Sequence, residues 1–186
     1  KLFYKKENVY ENQTKKDAKA TEKYAKGYMK FLDNAKTERE AVREGIKMLE
    51  ANGFVPYTLG GEIVKGGKYY YNNRDKSLFA FVAGTEDIEK GIRICAAHID
   101  SPRLDLKQHP LFENDGFAYL KTHYYGGIRK YQWVTIPLAL HGVVTTMDGK
   151  NVEIVIGEDE GDPIFCITDL LPHLAQEQSQ KTLANA

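Results

Sequence analysis

Ile92-Arg93-Ile94-Cys95-Ala96-Ala97-His98-Ile99-Asp100-Ser101-Pro102-Arg103 is the stretch on which the reading of the fold turns. Its first six residues are apolar on both faces apart from Arg93, the pattern of a strand covered on both sides at the centre of an α/β sheet. Side chains two apart on extended backbone share a face, so His98 and Asp100 are expected to leave that strand side by side. The edge where strands end is where open α/β sheets bind ligands. Ser101-Pro102 then stiffens the exit, because proline fixes its own φ and restricts the residue before it.

Upstream of this stretch the chain reads as helical. From Thr14 to Leu32, apolar and aromatic residues at Ala18, Tyr24, Ala25, Tyr28 and Phe31 recur at a spacing close to one helix face. A second helix opens with the capping box Thr37-x-x-Glu40, carries Ala41, Val42, Ile46 and Leu49 on one side, and stops at Asn52-Gly53. After Gly53 the punctuation changes to that of strands and hairpins: Gly60-Gly61, Gly66-Gly67, Asn72-Asn73 and Gly84 separate strand candidates at Tyr69–Tyr71 and Ser77–Ala83.

Downstream, strand-like runs follow one another: Arg103–Lys107, Phe117–Tyr125, Tyr131–Val144 and Asn151–Ile156, with Asp148-Gly149 as a hairpin turn. A β-rich unit is therefore expected from about Gln108, dividing the chain into 1–107 and 108–186. Thr168 or Asp169 is placed to cap a further helix, with Pro172 in its first turn.

Composition narrows the class. The 186 residues carry 26 Lys plus Arg against 26 Asp plus Glu, so no overall field favours nucleic acid. The lysines around Lys5, Lys6, Lys15 and Lys16 are interleaved with Glu7, Glu11 and Asp17, as on a solvated helix face. No apolar run is long enough to span a membrane, and residues 1–20 lack the apolar segment of a secretory leader. Cys95 and Cys166 stand far apart in apolar settings, which suits buried thiols in a reducing cytoplasm.

Neutral imidazole is a good zinc ligand, and a carboxylate beside it can hold the ring so that the other nitrogen faces a metal. Such a His at a strand end also serves as a hydrogen-bonded structural residue, and His-x-Asp by itself does not separate the two roles. Gly-x-Ser-x-Gly, Gly-x-x-x-x-Gly-Lys and His-Glu-x-x-His are all missing from the sequence.

Over a longer span, His98-Ile99-Asp100-Ser101-Pro102-Arg103-Leu104-Asp105-Leu106-Lys107 resembles the His-Thr/Ile-Asp-Ser-Pro signature of the aspartyl aminopeptidase family of zinc metallopeptidases. Lys121-Thr122-His123-Tyr124-Tyr125-Gly126-Gly127-Ile128 and Trp133–Val144 resemble that family's Tyr-Gly-Gly segment and the strand after it. The family's Trp-Phe-Asp-Arg-Asp-Leu is here Trp133-Val134-Thr135-Ile136-Pro137-Leu138, and Arg129-Lys130 replaces a bulky apolar pair. These departures point to a bacterial subgroup and leave open whether acidic amino-terminal residues are preferred.

The resemblance implies part of a three-layer α/β catalytic domain with an inserted β-rich dimerisation domain, and a cocatalytic site of two zinc ions or other divalent metals. It implies a cytoplasmic enzyme that removes amino-terminal residues from peptides and assembles as a homo-oligomer built from dimers. It makes His98 a zinc ligand and Asp100 the catalytic-site residue that orients it. His173, in Leu171-Pro172-His173-Leu174-Ala175, falls where the family has a His that reaches the active site of a neighbouring subunit, so it stands as a metal or substrate contact beside a purely structural role. His109, His123 and His141 read as structural, with His123 in reserve. One His and one Asp are too few for a zinc site, which takes three or four protein ligands. The segment Gln178–Ala186 accordingly reads as broken inside the inserted domain, with the remaining ligands and the general base outside the segment. The competing expectation is a non-catalytic β-rich interaction domain, or an inactive fragment, presenting Tyr124, Tyr125 and Trp133 to a partner.

Overall fold

A computed structural model of the chain describes residues 3 and 6–183. Lys5 in the charged opening segment, and the last three residues of the 178–186 stretch, lie outside the described residues. The chain is mixed α/β with small sheets, and it divides into two units, Lys1–Asp100 and Ser101–Ala186.

In the first unit, helix α1 (Lys15–Asn34) is opened by a capping box in which Thr14 Oγ1 accepts from the Asp17 amide and the Asp17 carboxylate accepts from the Thr14 amide. The Asp17 carboxyl is held below its ordinary range, first by the Thr14 hydroxyl, which donates to Oδ2 at 2.6 Å, and then by the Thr14 amide. Helix α2 (Glu38–Ala51) begins as expected, with Thr37 and Glu40 bonded reciprocally, and ends at Gly53 with φ +80°. Strands β1 (Val55–Pro56), β2 (Lys68–Asn73) and β3 (Ser77–Val82) form one sheet, with β1 parallel and β3 antiparallel to β2. The β2–β3 hairpin turns on Arg74 and Asp75, both at positive φ, while Asn72 Oδ1 accepts from the Asp75 amide.

Helix α2 packs on β2 and β3, and its buried Ala41 and Val42 meet the same interior as Tyr70. The Tyr70 hydroxyl donates to Glu50 Oε1 at 2.7 Å, tying helix to sheet and raising the phenol above its ordinary value. Tyr57, Tyr69 and Phe81 form an aromatic cluster with centroids 5.3 to 5.9 Å apart on the sheet.

The expected buried strand at Ile92–Ala97 is corrected. Residues 91–100 run without a ladder among the described residues, and Ile92 and Ile94 are 64% and 74% exposed. An apolar run specifies burial, but a strand exists only where a neighbour supplies hydrogen-bond partners, and no described residue pairs with this run. Cys95 and Cys166 are free thiols, exposed where buried ones were expected.

The second unit holds two antiparallel hairpins. β4 (Arg103–Asn114) pairs with β5 (Phe117–Tyr125) through an Asp115-Gly116 turn, and β6 (Leu140–Thr145) pairs with β7 (Asn151–Ile156) around Asp148-Gly149. β4 runs through the junction expected at residues 107 and 108, and its register shifts between Leu106 and Leu111, where His109 has φ +50°.

The strand expected from Tyr131 is shorter, because only Leu140–Thr145 is laddered. Thr135 at φ +63° turns the backbone away from extension and Pro137 brings no amide; Lys130–Gln132 form a 3-10 turn, and among the described residues the remainder to 139 pairs through isolated bridges, Val134 to Ile167 and Leu138 to Phe165. Gly157, at φ +103°, lets its backbone come close to Ala139, where a Cβ would stand 3.1 Å from Ala139 Cα. The helix expected from Thr168 or Asp169 is also corrected: Pro172–Leu174 is a turn, and α3 covers only Gln176–Ser179. Asp169 Oδ1 accepts from the next amide, Leu170, a local turn contact in place of a helix cap. No helix among the described residues is long and apolar enough to cross a membrane.

Candidate metal centre

His98 and Asp100 come together in the first unit. His98 Nδ1 lies 2.9 Å from the Asp100 carbonyl oxygen and 3.2 Å from its Oδ1. Both oxygens accept, so Nδ1 carries the proton and donates, which leaves the Nε2 lone pair as the coordinating position of the neutral ring. The His98 side chain is 83% exposed and that of Asp100 is 38% exposed, so the open nitrogen faces outward and not into packed side chains. Among the described residues no group of three or more His, Cys, Asp or Glu side chains is arranged to hold a metal ion.

The second unit carries the other histidines. His173 is exposed, in the turn that follows Leu171, whose carbonyl accepts from the Leu174 amide at 2.8 Å. His123 stands opposite Asp105 in the β4–β5 register, with Nδ1 3.2 Å from the Tyr124 carbonyl oxygen. His141 Nε2 sits 3.0 Å from Glu158 Oε1 with its side chain largely covered, a packed pair between β6 and the turn after β7.

Directly after the His-x-Asp segment, the backbone enters a well-fixed hairpin end. Pro102 packs beside Gly126, whose φ of +75° favours glycine and where a Cβ would meet the proline at an ordinary contact distance of 3.6 Å. Arg103 faces Tyr125 across the ladder. Its Nε donates to Asp105 Oδ1 at 2.8 Å, and its guanidinium carbon lies 4.1 Å from the centre of the Tyr125 ring. The sequence reading gave this group no role. Its signal was present in the spacing: Arg103 and Asp105 are two apart on a strand and therefore share a face.

Comparison with known proteins adds an independent line. Residues 31–186 match the family described as aminopeptidase I zinc metalloprotease (M18). A probable M18 family aminopeptidase 1 of Clostridium acetobutylicum is 50% identical over 171 residues, covering 89% of this chain and 37% of that protein. Its counterpart from Thermotoga neapolitana is 46% identical over 173 residues, covering 93% of this chain and again 37% of the relative. Among solved structures, an M18-family aminopeptidase from Thermotoga maritima superposes with a TM-score of 0.86 at 42% identity, over 98% of this chain and 40% of that one. Aminopeptidase I from Clostridium acetobutylicum gives a TM-score of 0.82 at 44% identity, over 98% of this chain and 41% of the other. The chain thus spans less than half the length of the relatives it matches.

Proposed function

The chain belongs to the M18 family of aminopeptidase I zinc metalloproteases, and from that premise we propose that it contributes His98 as a zinc ligand to an enzyme that removes amino-terminal residues from peptides. The observation that carries the proposal is the His98–Asp100 contact, with Nδ1 engaged and Nε2 left open. That donor chemistry fits zinc, which binds neutral imidazole and is commonly supported by a carboxylate or carbonyl on the ring's far nitrogen. It fits as one contribution to a set of three or four ligands.

Zinc, when bound, supplies Lewis acidity toward a carbonyl oxygen and toward water. The chain's own part is to hold an imidazole in one tautomer and to aim it outward. Asp100 does this twice over, through a main-chain carbonyl that no side-chain substitution removes and through a carboxylate that stabilises positive charge on the ring.

Further elements of the proposal go beyond this contact. The remaining ligands and the general base lie in the part of the relatives' length that this chain does not match, two metal ions are bound, and the enzyme works in the cytoplasm. The residues from the expected boundary near Gln108 onward belong to a β-rich dimerisation domain of a homo-oligomer, and His173 reaches metal or substrate in a neighbouring subunit. A preference for acidic amino-terminal residues is the finest form of the reading.

Zinc analysis together with hydrolysis of aspartyl, glutamyl and leucyl anilides tests the whole. Zinc-dependent release from any of the three supports an aminopeptidase, faster release from the acidic pair supports the finer preference, and a zinc-loaded full-length protein inert toward all three contradicts the proposal.

A further inference from the structure

The β4–β5 and β6–β7 hairpins both turn on Asp-Gly, and the fold holds the two dipeptides differently. Asp-Gly is a sequence in which an aspartyl side chain readily closes on its own main chain. Glycine has no Cβ to shield its amide nitrogen, and that nitrogen can attack the neighbouring carboxyl carbon Cγ. A C–N bond forms as a C–O bond breaks, one carboxyl oxygen leaves as water, and the product is a five-membered succinimide. Water then opens the ring at either carbonyl, giving back aspartate or leaving an isoaspartyl residue whose main chain runs through Cβ and Cγ. The step needs a glycine amide that is not donating elsewhere. It also needs a carboxyl that can swing onto that amide and take up a proton, because an ionised carboxylate does not lose its oxygen.

At Asp148 neither condition holds. The Gly149 amide donates to the Thr146 carbonyl at 2.8 Å, and Asp148 Oδ1 accepts from the Thr146 hydroxyl and from the Lys150 amide. Those contacts, the hydroxyl first, keep the carboxyl below its ordinary range and therefore ionised. Asn52-Gly53, the chain's Asn-Gly pair, is held in a similar way: Asn52 Nδ2 donates to the Met48 carbonyl at 2.7 Å and the Gly53 amide to the Glu50 carbonyl at 3.0 Å. At Asp115 the situation is reversed. Asp115 and Gly116 form an exposed two-residue turn, with φ +52° and +79°, and among the described residues the Gly116 amide donates no hydrogen bond. Asp115 Oδ2 accepts from the Asn114 side-chain amide at 2.8 Å, a surface contact between neighbours for which solvent competes.

We propose that Asp115-Gly116 is a site of spontaneous isoaspartate formation, and that the folded chain directs this modification to Asp115 and away from Asp148 and Asn52. The product adds one main-chain carbon to a turn closed by the Asn114–Phe117 pair, so the modified hairpin no longer fits the end of its own ladder. The inference does not depend on the reading of His98.

The test holds the full-length protein at neutral pH and physiological temperature and follows isoaspartate at each position by peptide mapping, beside the same protein kept in urea. In the folded protein Asp115 should convert about tenfold faster than Asp148, where hydrogen bonds must open before the ring can close. In urea, where neither turn persists, the two rates should converge. Asp115→Asn keeps a turn that suits two positive-φ residues and reaches the same ring by losing ammonia in place of water, so isoaspartate at position 115 should appear faster than in the parent. A folded protein in which Asp115 stays unmodified, or in which Asp148 is modified as fast, would overturn the inference. So would an Asp115→Asn protein that forms no isoaspartate there, or an excess at Asp115 that persists undiminished in urea and thus belongs to the flanking sequence.

Discussion

Replacing Asp100 by Asn separates the two contacts that Asp100 makes with the His98 ring. The substitution leaves the main-chain carbonyl, 2.9 Å from Nδ1, untouched and, of the ring's two contacts, alters the one at 3.2 Å, from a charged oxygen to a neutral one. The ring therefore keeps its tautomer and its shorter hydrogen bond. What is lost is the carboxylate's pull on the imidazole proton, and with the His98 side chain 83% exposed, solvent already screens part of that. Changes to groups supporting a metal ligand cost about 10- to 100-fold in affinity. The surviving carbonyl and the exposure put Asp100→Asn at the low end, about tenfold or about 1.4 kcal/mol in zinc binding. Competition titration against a chelator of known affinity reads this directly. Complete loss of zinc in Asp100→Asn would mean that the carboxylate itself binds metal, and an unchanged Kd would mean that it does not support the ring at all.

Val42 is the largest fully covered side chain described, 1% exposed between α2 and the sheet, and Val42→Ala should cost about 2 kcal/mol in urea unfolding, from two buried carbons at about 0.8 kcal/mol each plus a residual cavity. Val9→Ala, at a position 77% exposed, is the control, and equal costs at the two sites would contradict the packing. Thr37→Ala removes the side-chain half of the α2 capping box and should cost about 1 kcal/mol, read as earlier thermal loss of helix signal; no shift would contradict the cap. Asp162 accepts from the Gly157 and Asp159 amides, and the Gly157 contact foremost holds its carboxyl below the ordinary range. A folded-state value lowered in this way gives stability that is present above the unfolded carboxylate range near about pH 3.9 and lost as pH falls through the lower folded value. The melting-temperature gap between parent and Asp162→Asn should therefore close in acid, and a gap independent of pH would contradict it.

What was legible in the sequence was local. Thr37, Glu40 and Gly53 specify the ends of α2 through contacts within a few residues, so the helix could be read without knowing what packs on it. The same holds for Asp148-Gly149, where the turn and the alternation of its flanks are self-contained. His98 and Asp100 were legible as a pair because residues two apart are close enough to touch whether or not a ladder forms.

Ile92–Ala97 was not legible, since periodicity reports an affinity for burial and says nothing about whether a neighbouring strand is at hand. Tyr131–Ala139 failed for the opposite reason: its composition is strand-like, but Thr135 in the left-handed region and Pro137 without an amide break the ladder from inside. The Arg103–Tyr125 contact needed the register of β4 on β5, and only that register brings Tyr125 under the guanidinium.

The most direct measurement is zinc per folded subunit, taken beside turnover of an aminoacyl anilide, for His98→Ala in the full-length protein. With His98 as a ligand, the variant should fold, retain less zinc than the parent and lose turnover. A folded His98→Ala protein with the parent's zinc content and the parent's turnover would contradict the assignment of this site.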